Sequence, residues 1–238
     1  MATNLAGGYC ISQAKVCRLR VARLSATCAP VAGADNGAVT AGILTLTRAA
    51  EISEGTEYEF KNGCGEIIAS ARDADRTKWY NLTGELQVMD YELLEIMFGG
   101  STIIADAGED YAGDVIGYAR PSGSTTPDAV SLEIWASVVI GTGGGCSADA
   151  NAPTYVRHVF PRVVFVEGDR TFEDGVSTVS FTGRAFENPA WGNGPWNDFP
   201  GTWPANTSSG HFEFIEQELP ANVVSGGCGY VTVPADAS

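Results

Sequence analysis

The chain has 238 residues, 44% of them apolar, with 29 glycines and a formal net charge of −15. That size and apolar content suit one large all-β domain, or one domain with appended arms, and exclude global disorder and a disulfide-stapled miniprotein. Fourteen Lys and Arg against 29 Asp and Glu exclude free nucleic-acid binding as the default, because phosphate contacts need a basic footprint.

Residues 1–16 are poor in apolar periodicity and are expected to form an arm. They lack the apolar core of a signal peptide, and no stretch of the chain is long enough for a membrane span. The expectation is a reducing cytosolic origin in which Cys10, Cys17, Cys28, Cys64, Cys146 and Cys228 are free thiols; their spacing holds no CxxC for zinc. CRLRVARL (17–24) alternates Leu19 and Val21 with Arg18 and Arg20, as a half-buried strand does. APVAGADNGAV (29–39) has the composition of a loop, and TAGILTLTRAAEIS (40–53) that of a second strand.

GTEYEFKNGCGEIIAS (55–70) predicts a hairpin turning at Asn62-Gly63-Cys64-Gly65, where Asn-Gly supplies positive φ at low cost. Its first strand alternates Glu57, Glu59 and Lys61 with Tyr58 and Phe60, so the aromatic pair is expected to pack inward. TKWYNLTGELQVM (77–89) reads as a long strand. Asp90 then caps the one helix expected, DYELLEIMFGG: Glu92 suits the positive end of the dipole, Leu93, Leu94, Met97 and Phe98 form the stripe, and Gly99 ends it.

Three more strands follow at 129–141, 156–169 and 176–188. On the first, Leu132, Ile134, Ala136 and Val138 oppose Glu133, Trp135 and Ser137; on the second, Pro161 predicts an edge position or a bulge. GTGGGCS (141–147) lacks the Lys-Ser/Thr of a phosphate loop and reads as a linker. From Asn188 the chain becomes rich in Trp, Pro, Gly and Asn, ordered only if its Trp residues pack on something. The division is therefore an arm (1–16), a β domain (17–187) and a C-terminal segment (188–238) packing on that domain or on neighbouring subunits.

The residues for catalysis are sparse. His158 and His211 are the only histidines, and His158 sits mid-strand as a structural ring. Cys64 lies on a turn between Lys61 and Glu66, whose charges roughly cancel, so nothing there activates a thiolate. A β-sandwich that binds or hydrolyses carbohydrate is the alternative, with Trp191, Trp196 and Trp203 stacking sugars and a carboxylate pair doing chemistry; it wants a secreted chain.

Charge is distributed unevenly. Residues 1–50 hold five cations and one acid, a net of +4, whereas residues 51–119 hold fifteen acids and four cations, a net of −11. Such asymmetry suits head-to-tail contact between copies.

CRLRVARL with its Gly/Asp loop, EISEGTEYEFKNGCGEI leading to DYELLEIMFGG, and YVRHVFPRVVFVEGDRTFEDG leading to FTGRAFENPAWGNGPW occur in a succession that resembles the major tail tube proteins of long-tailed phages of actinobacteria. It covers about residues 17–200. The resemblance implies a mainly β fold, a β-sandwich or barrel with one short flanking helix, an extended arm and loops. It implies hexameric rings stacked into the tail tube of a virion assembled in the host cytoplasm, with no catalytic residue, metal or cofactor. Partners would be further copies of the chain, a tape-measure protein, tail terminator and tail-tip proteins, and double-stranded DNA in transit; a tube-like secretion component is a further possibility. Acidic side chains then face the bore, for which Glu57, Glu59 and Glu85 are the expected residues. Arg18, Arg20, Arg23, Trp191 and Trp196 are the expected contacts between copies.

Overall fold

The structure, a computed structural model, describes residues 11–87, 90–120, 128–140, 154–173, 176–199, 210–225 and 227–235. The fold is mainly β. In chain order it comprises β1 (Ile11–Arg23), β2 (Gly33–Thr40), β3 (Ile43–Ser53), a hairpin of β4 (Glu57–Lys61) and β5 (Ile67–Arg72), β6 (Arg76–Leu86), α1 (Tyr91–Phe98), a hairpin of β7 (Ser101–Ile104) and β8 (Val115–Ala119), β9 (Val130–Ile140), β10 (Tyr155–Glu173), β11 (Val176–Phe186), β12 (Phe212–Glu216), α2 (Ala221–Ser225) and β13 (Gly229–Val233).

One nine-stranded antiparallel sheet runs β13-β2-β1-β9-β10-β11-β6-β3, with β12 also paired to β10. The long strand β10 joins two halves of this sheet. Its first part pairs with β9 and β12, and from Arg162 onward it pairs with β11. Pro161 stands at the register shift between Phe160 and Val163, where its missing N–H costs no ladder bond. The bulge is therefore realised, and the edge position is not, because β10 is central.

The two halves enclose one apolar core. Leu19, Val21, Leu132 and Ile134 from one side meet Leu82, Leu86, Phe165, Val179 and Phe181 from the other. The rings of Phe165 and Phe181 meet edge to face at 5.4 Å, a favoured aromatic geometry. Helix α1 closes the core with Leu93, Leu94, Ile96, Met97 and Phe98. Asp90 caps it by accepting from Leu93 N at 3.2 Å, and Gly99 ends it at φ 73°.

Several expectations are corrected. The arm of 1–16 is already strand from Ile11, paired with β9; residues 1–10 lie outside the described residues. The stretch 29–39 contains β2, which pairs with β1 on one side and β13 on the other. Its turn composition is overridden by tertiary pairing, and Gly37 is the reason it fits: a Cβ there would stand 2.7 Å from Val231 O and 2.9 Å from Trp196 Cζ2. A second helix, the single turn α2, was not expected. At the β4–β5 turn the left-handed residue is Gly65 (φ 84°), not the Asn-Gly pair; Asn62 Oδ1 instead accepts from Cys64 N at 3.0 Å and Glu66 N at 2.9 Å.

Candidate assembly surfaces and the buried charge cluster

The outer face of β9 presents Ser131, Glu133 and Trp135, all fully buried, because the C-terminal segment folds over them. A 3-10 turn at Pro189–Trp191 places Trp191 there with no exposure, its Nε1 donating to Ser131 Oγ at 2.8 Å. Beside it lies a cluster of two cations and three carboxylates. Arg20 pairs with Glu133 and with Asp198 at 2.8 Å; Arg157 pairs with Glu133 and Asp198, each at 2.7 Å, and with Glu216 at 3.1 Å. Burial alone would lower the pKa of Arg157, but Glu133, Asp198 and Glu216 outweigh it and raise the value. Burial would raise Asp198, and the two arginines bring it below its ordinary value. Trp196 roofs the cluster, with the Arg20 guanidinium 3.7 Å from its ring centre.

This arrangement places two of the expected contacts between copies inside the subunit. Arg20 and Trp191 are wholly inside the subunit, and Trp196 is half-buried with its Nε1 donating to Thr232 O at 3.0 Å. Arg23 is tied to Glu95 at 2.6 Å, and Arg18 is half-buried. Trp191 and Trp196 accordingly form no exposed platform for sugar stacking; Trp203 lies outside the described residues. The described residues of the C-terminal segment pack on their own β domain.

The sequence signal for this cluster was present as Arg20, Glu133 and Arg157 on strands whose opposite faces are apolar. Alternation assigns such residues to the second face but does not say that a distant segment covers it.

The two histidines meet beside the core residue Phe160, whose ring stacks on His211 at 4.5 Å between centres. His158 Nδ1 is 3.2 Å from His211 Nε2 and 3.3 Å from Glu213 Oε1, and Arg48 Nη1 is 2.6 Å from His211 Nδ1. Arginine only donates, so His211 Nδ1 accepts and its ring proton sits on Nε2, pointing at His158. Three potential ligand atoms gather here, but the His211 Nε2 proton and the adjacent Arg48 charge oppose a cation. Burial, then Arg48 and His158, push the His211 pKa down to about 3, and burial likewise lowers His158. The histidines are thus neutral structural rings, stacked at 5.5 Å between centres.

Exposed surface of a different kind lies on the two hairpins. Every residue of β4 and β5 is exposed. The register pairs Tyr58 with Ala71 and Phe60 with Ala69 on one face, and Glu57 with Arg72 and Glu59 with Ser70 on the other. The alternation was read correctly, but not its consequence: Tyr58 and Phe60 are 46% and 60% exposed, and Ile68 at the bulge is 70% exposed. Among the described residues, no part of the main sheet covers them. Glu85 is exposed too, on the main sheet opposite Thr45 and Ser180, and so shares no sheet with Glu57 and Glu59. On the second hairpin Ile103, Ile104, Ile116 and Tyr111 are exposed.

Compared with known proteins, the sequence matches no protein-family model and no curated protein.

Proposed function

We propose that this chain is a structural subunit that polymerises as stacked, hexameric rings into a phage tail tube, a conduit for double-stranded DNA. The observation that carries the reading is the β4–β5 hairpin. A two-stranded hairpin alone is marginal in water, and this one leaves an aromatic face uncovered in a subunit whose core is already closed. Exposed apolar surface of that kind marks a protein contact, and an identical neighbour supplies the cover in a self-assembling ring.

Covering Tyr58 and Phe60 turns the opposite face, with Glu57 and Glu59, away from protein and toward the bore. A wall of carboxylates repels phosphate and lets DNA pass without adhering. The same logic assigns the tape-measure, tail terminator and tail-tip proteins as partners in the virion, and no chemical step to the chain. Electron microscopy and sedimentation of the purified protein test the reading: rings or tubes are expected at high concentration with a tail-initiating complex, and a persistent compact monomer under those conditions would overturn it.

A further inference from the structure

In a chain of net charge −15, one surface runs against the trend. At the start of the β10–β11–β6 half-sheet, Trp79 and Phe186 lie 6.2 Å apart between ring centres. The guanidinium of Arg184 is 5.4 Å from the Trp79 ring, the Lys78 ammonium 5.8 Å from it, and the guanidinium of Arg162 is 5.5 Å from the Phe186 ring. Arg76 joins them at the rim of an adjoining cavity of about 350 Å³ that Lys78 and Trp79 also line. None of these four cations forms an ion pair among the described residues, and Arg162 Nε is buried without a hydrogen-bond partner. A protein with twice as many acids as bases has gathered four cations and two aromatic rings here against one carboxylate in the cavity lining, Glu187, which pairs with none of them.

The complement is on the same chain. The turn between β7 and β8 carries Asp106, Glu109, Asp110 and Asp114 with no cation. It is built rigidly: Ala105 N donates to Asp114 O, Gly113 N to Ala105 O and Asp114 N to Tyr111 O, at 2.9–3.0 Å. Tyr111 adopts φ 65°, a left-handed backbone unusual for a bulky residue, and is 75% exposed. Preformed geometry lowers the entropy cost of docking, and an exposed Tyr among carboxylates has the chemistry of an interface anchor.

The two surfaces do not meet within one subunit. The β7–β8 hairpin is held at the far end of β10, through Arg120 on Glu167 at 3.0 Å and Arg170 beside Tyr118 at 5.9 Å. Arg162 and Arg170 are eight residues apart along that strand, about 26 Å of extended chain. A knob beside Glu167 and Arg170 and a socket beside Arg162, at mid-strand, make a head-to-tail contact, which grows an open polymer instead of a closed dimer.

We propose that the acidic β7–β8 turn of one copy, led by Tyr111, docks on the cation–aromatic surface around Trp79 and Phe186 of the next copy. The inference rests on the self-assembly reading above and names the contact that propagates it. Opposite charges steer the encounter, and the rings desolvate its centre.

The exposed residues allow a charge-reversal test by sedimentation and microscopy of the full chain, with circular dichroism to confirm folding. K78E/R184E and E109K/D110K should each raise the concentration needed for assembly at least about tenfold. Each should co-assemble with the other, and the quadruple variant should assemble within about threefold of wild type. Wild-type assembly unaffected by either reversal would overturn this contact while leaving the tube reading intact; a wild type that never assembles would overturn both. Salt-dependent binding of duplex DNA that K78E/R184E abolishes would identify the surface as a polyanion site and likewise overturn the contact.

Discussion

Arg20 is held between Glu133, to which its Nε donates at 2.6 Å, and the face of Trp196, 3.7 Å from its guanidinium carbon. One strand residue thus ties β1 to β9 and to the C-terminal segment, and its charge is buried with its partners. Removing Arg20 leaves the buried Glu133 and Asp198 with Arg157 as the one cation they share. Arg20→Ala should therefore destabilise the chain by about 3–5 kcal/mol. R20M/E133L, which removes both, should cost less than the sum of the single changes, because Arg157 keeps Asp198 and Glu216. Urea denaturation of R20M, E133L and R20M/E133L measures this; strictly additive losses would contradict the coupling.

Close packing against the Phe165 ring predicts a contrast between two glycines. A Cβ at Gly183 would lie 2.7 Å from Phe165 Cδ1 and 2.9 Å from Cε1. Gly183→Ala should therefore cost about 1–3 kcal/mol through overpacking. At Gly63 nothing lies within 4 Å and φ is not positive, so Gly63→Ala should leave the denaturation midpoint unchanged. Equal losses at the two sites would show that the turn, not the core, limits stability.

The β4–β5 hairpin separates stability from assembly. Y58S/F60S touches no buried contact, so the thermal midpoint of the isolated subunit should hold while rings and tubes are lost. On the proposed tube reading, reversing the opposite face with E57K/E59K should leave assembly intact and slow DNA ejection from particles carrying the change. Normal ejection from such particles would remove these two glutamates from the bore.

Two groups give the fold opposed pH dependences. The His211 pKa, brought down to about 3 by burial and then by Arg48 and His158, compares with an ordinary value near 6.5. Between these values the unfolded chain binds the extra proton, so stability falls as pH drops, at up to about 1.4 kcal/mol per pH unit. Glu92 is raised to about 7 by burial and then by Asp90. Here the folded chain holds the extra proton, so stability falls as pH rises from about 4.5 to 7; the half-buried position of Glu92 leaves it open to solvent screening and makes this the weaker effect. Denaturation midpoints across pH 4–8 should show a shallower acid-side decline in H211Q, with His158 supplying the remainder, and a shallower neutral-side decline in E92Q. An H211Q profile parallel to the wild type would show that the histidine is not the group responsible.

What the sequence determined by itself was local and periodic. The Asp90 cap, the stripe of α1 and its stop at Gly99 follow from side-chain chemistry within one or two turns, and the two faces of β9 follow from a period of two. The hairpin at Asn62 was equally plain. Only the tertiary structure decided which second faces are covered. It buried Glu133 and Arg20 beneath a segment more than 60 residues downstream of Glu133, left Tyr58 and Phe60 in solvent, and drew β2 from a stretch with the composition of a loop. Alternation divides a strand into two sides, but burial depends on which distant chain arrives to displace the water.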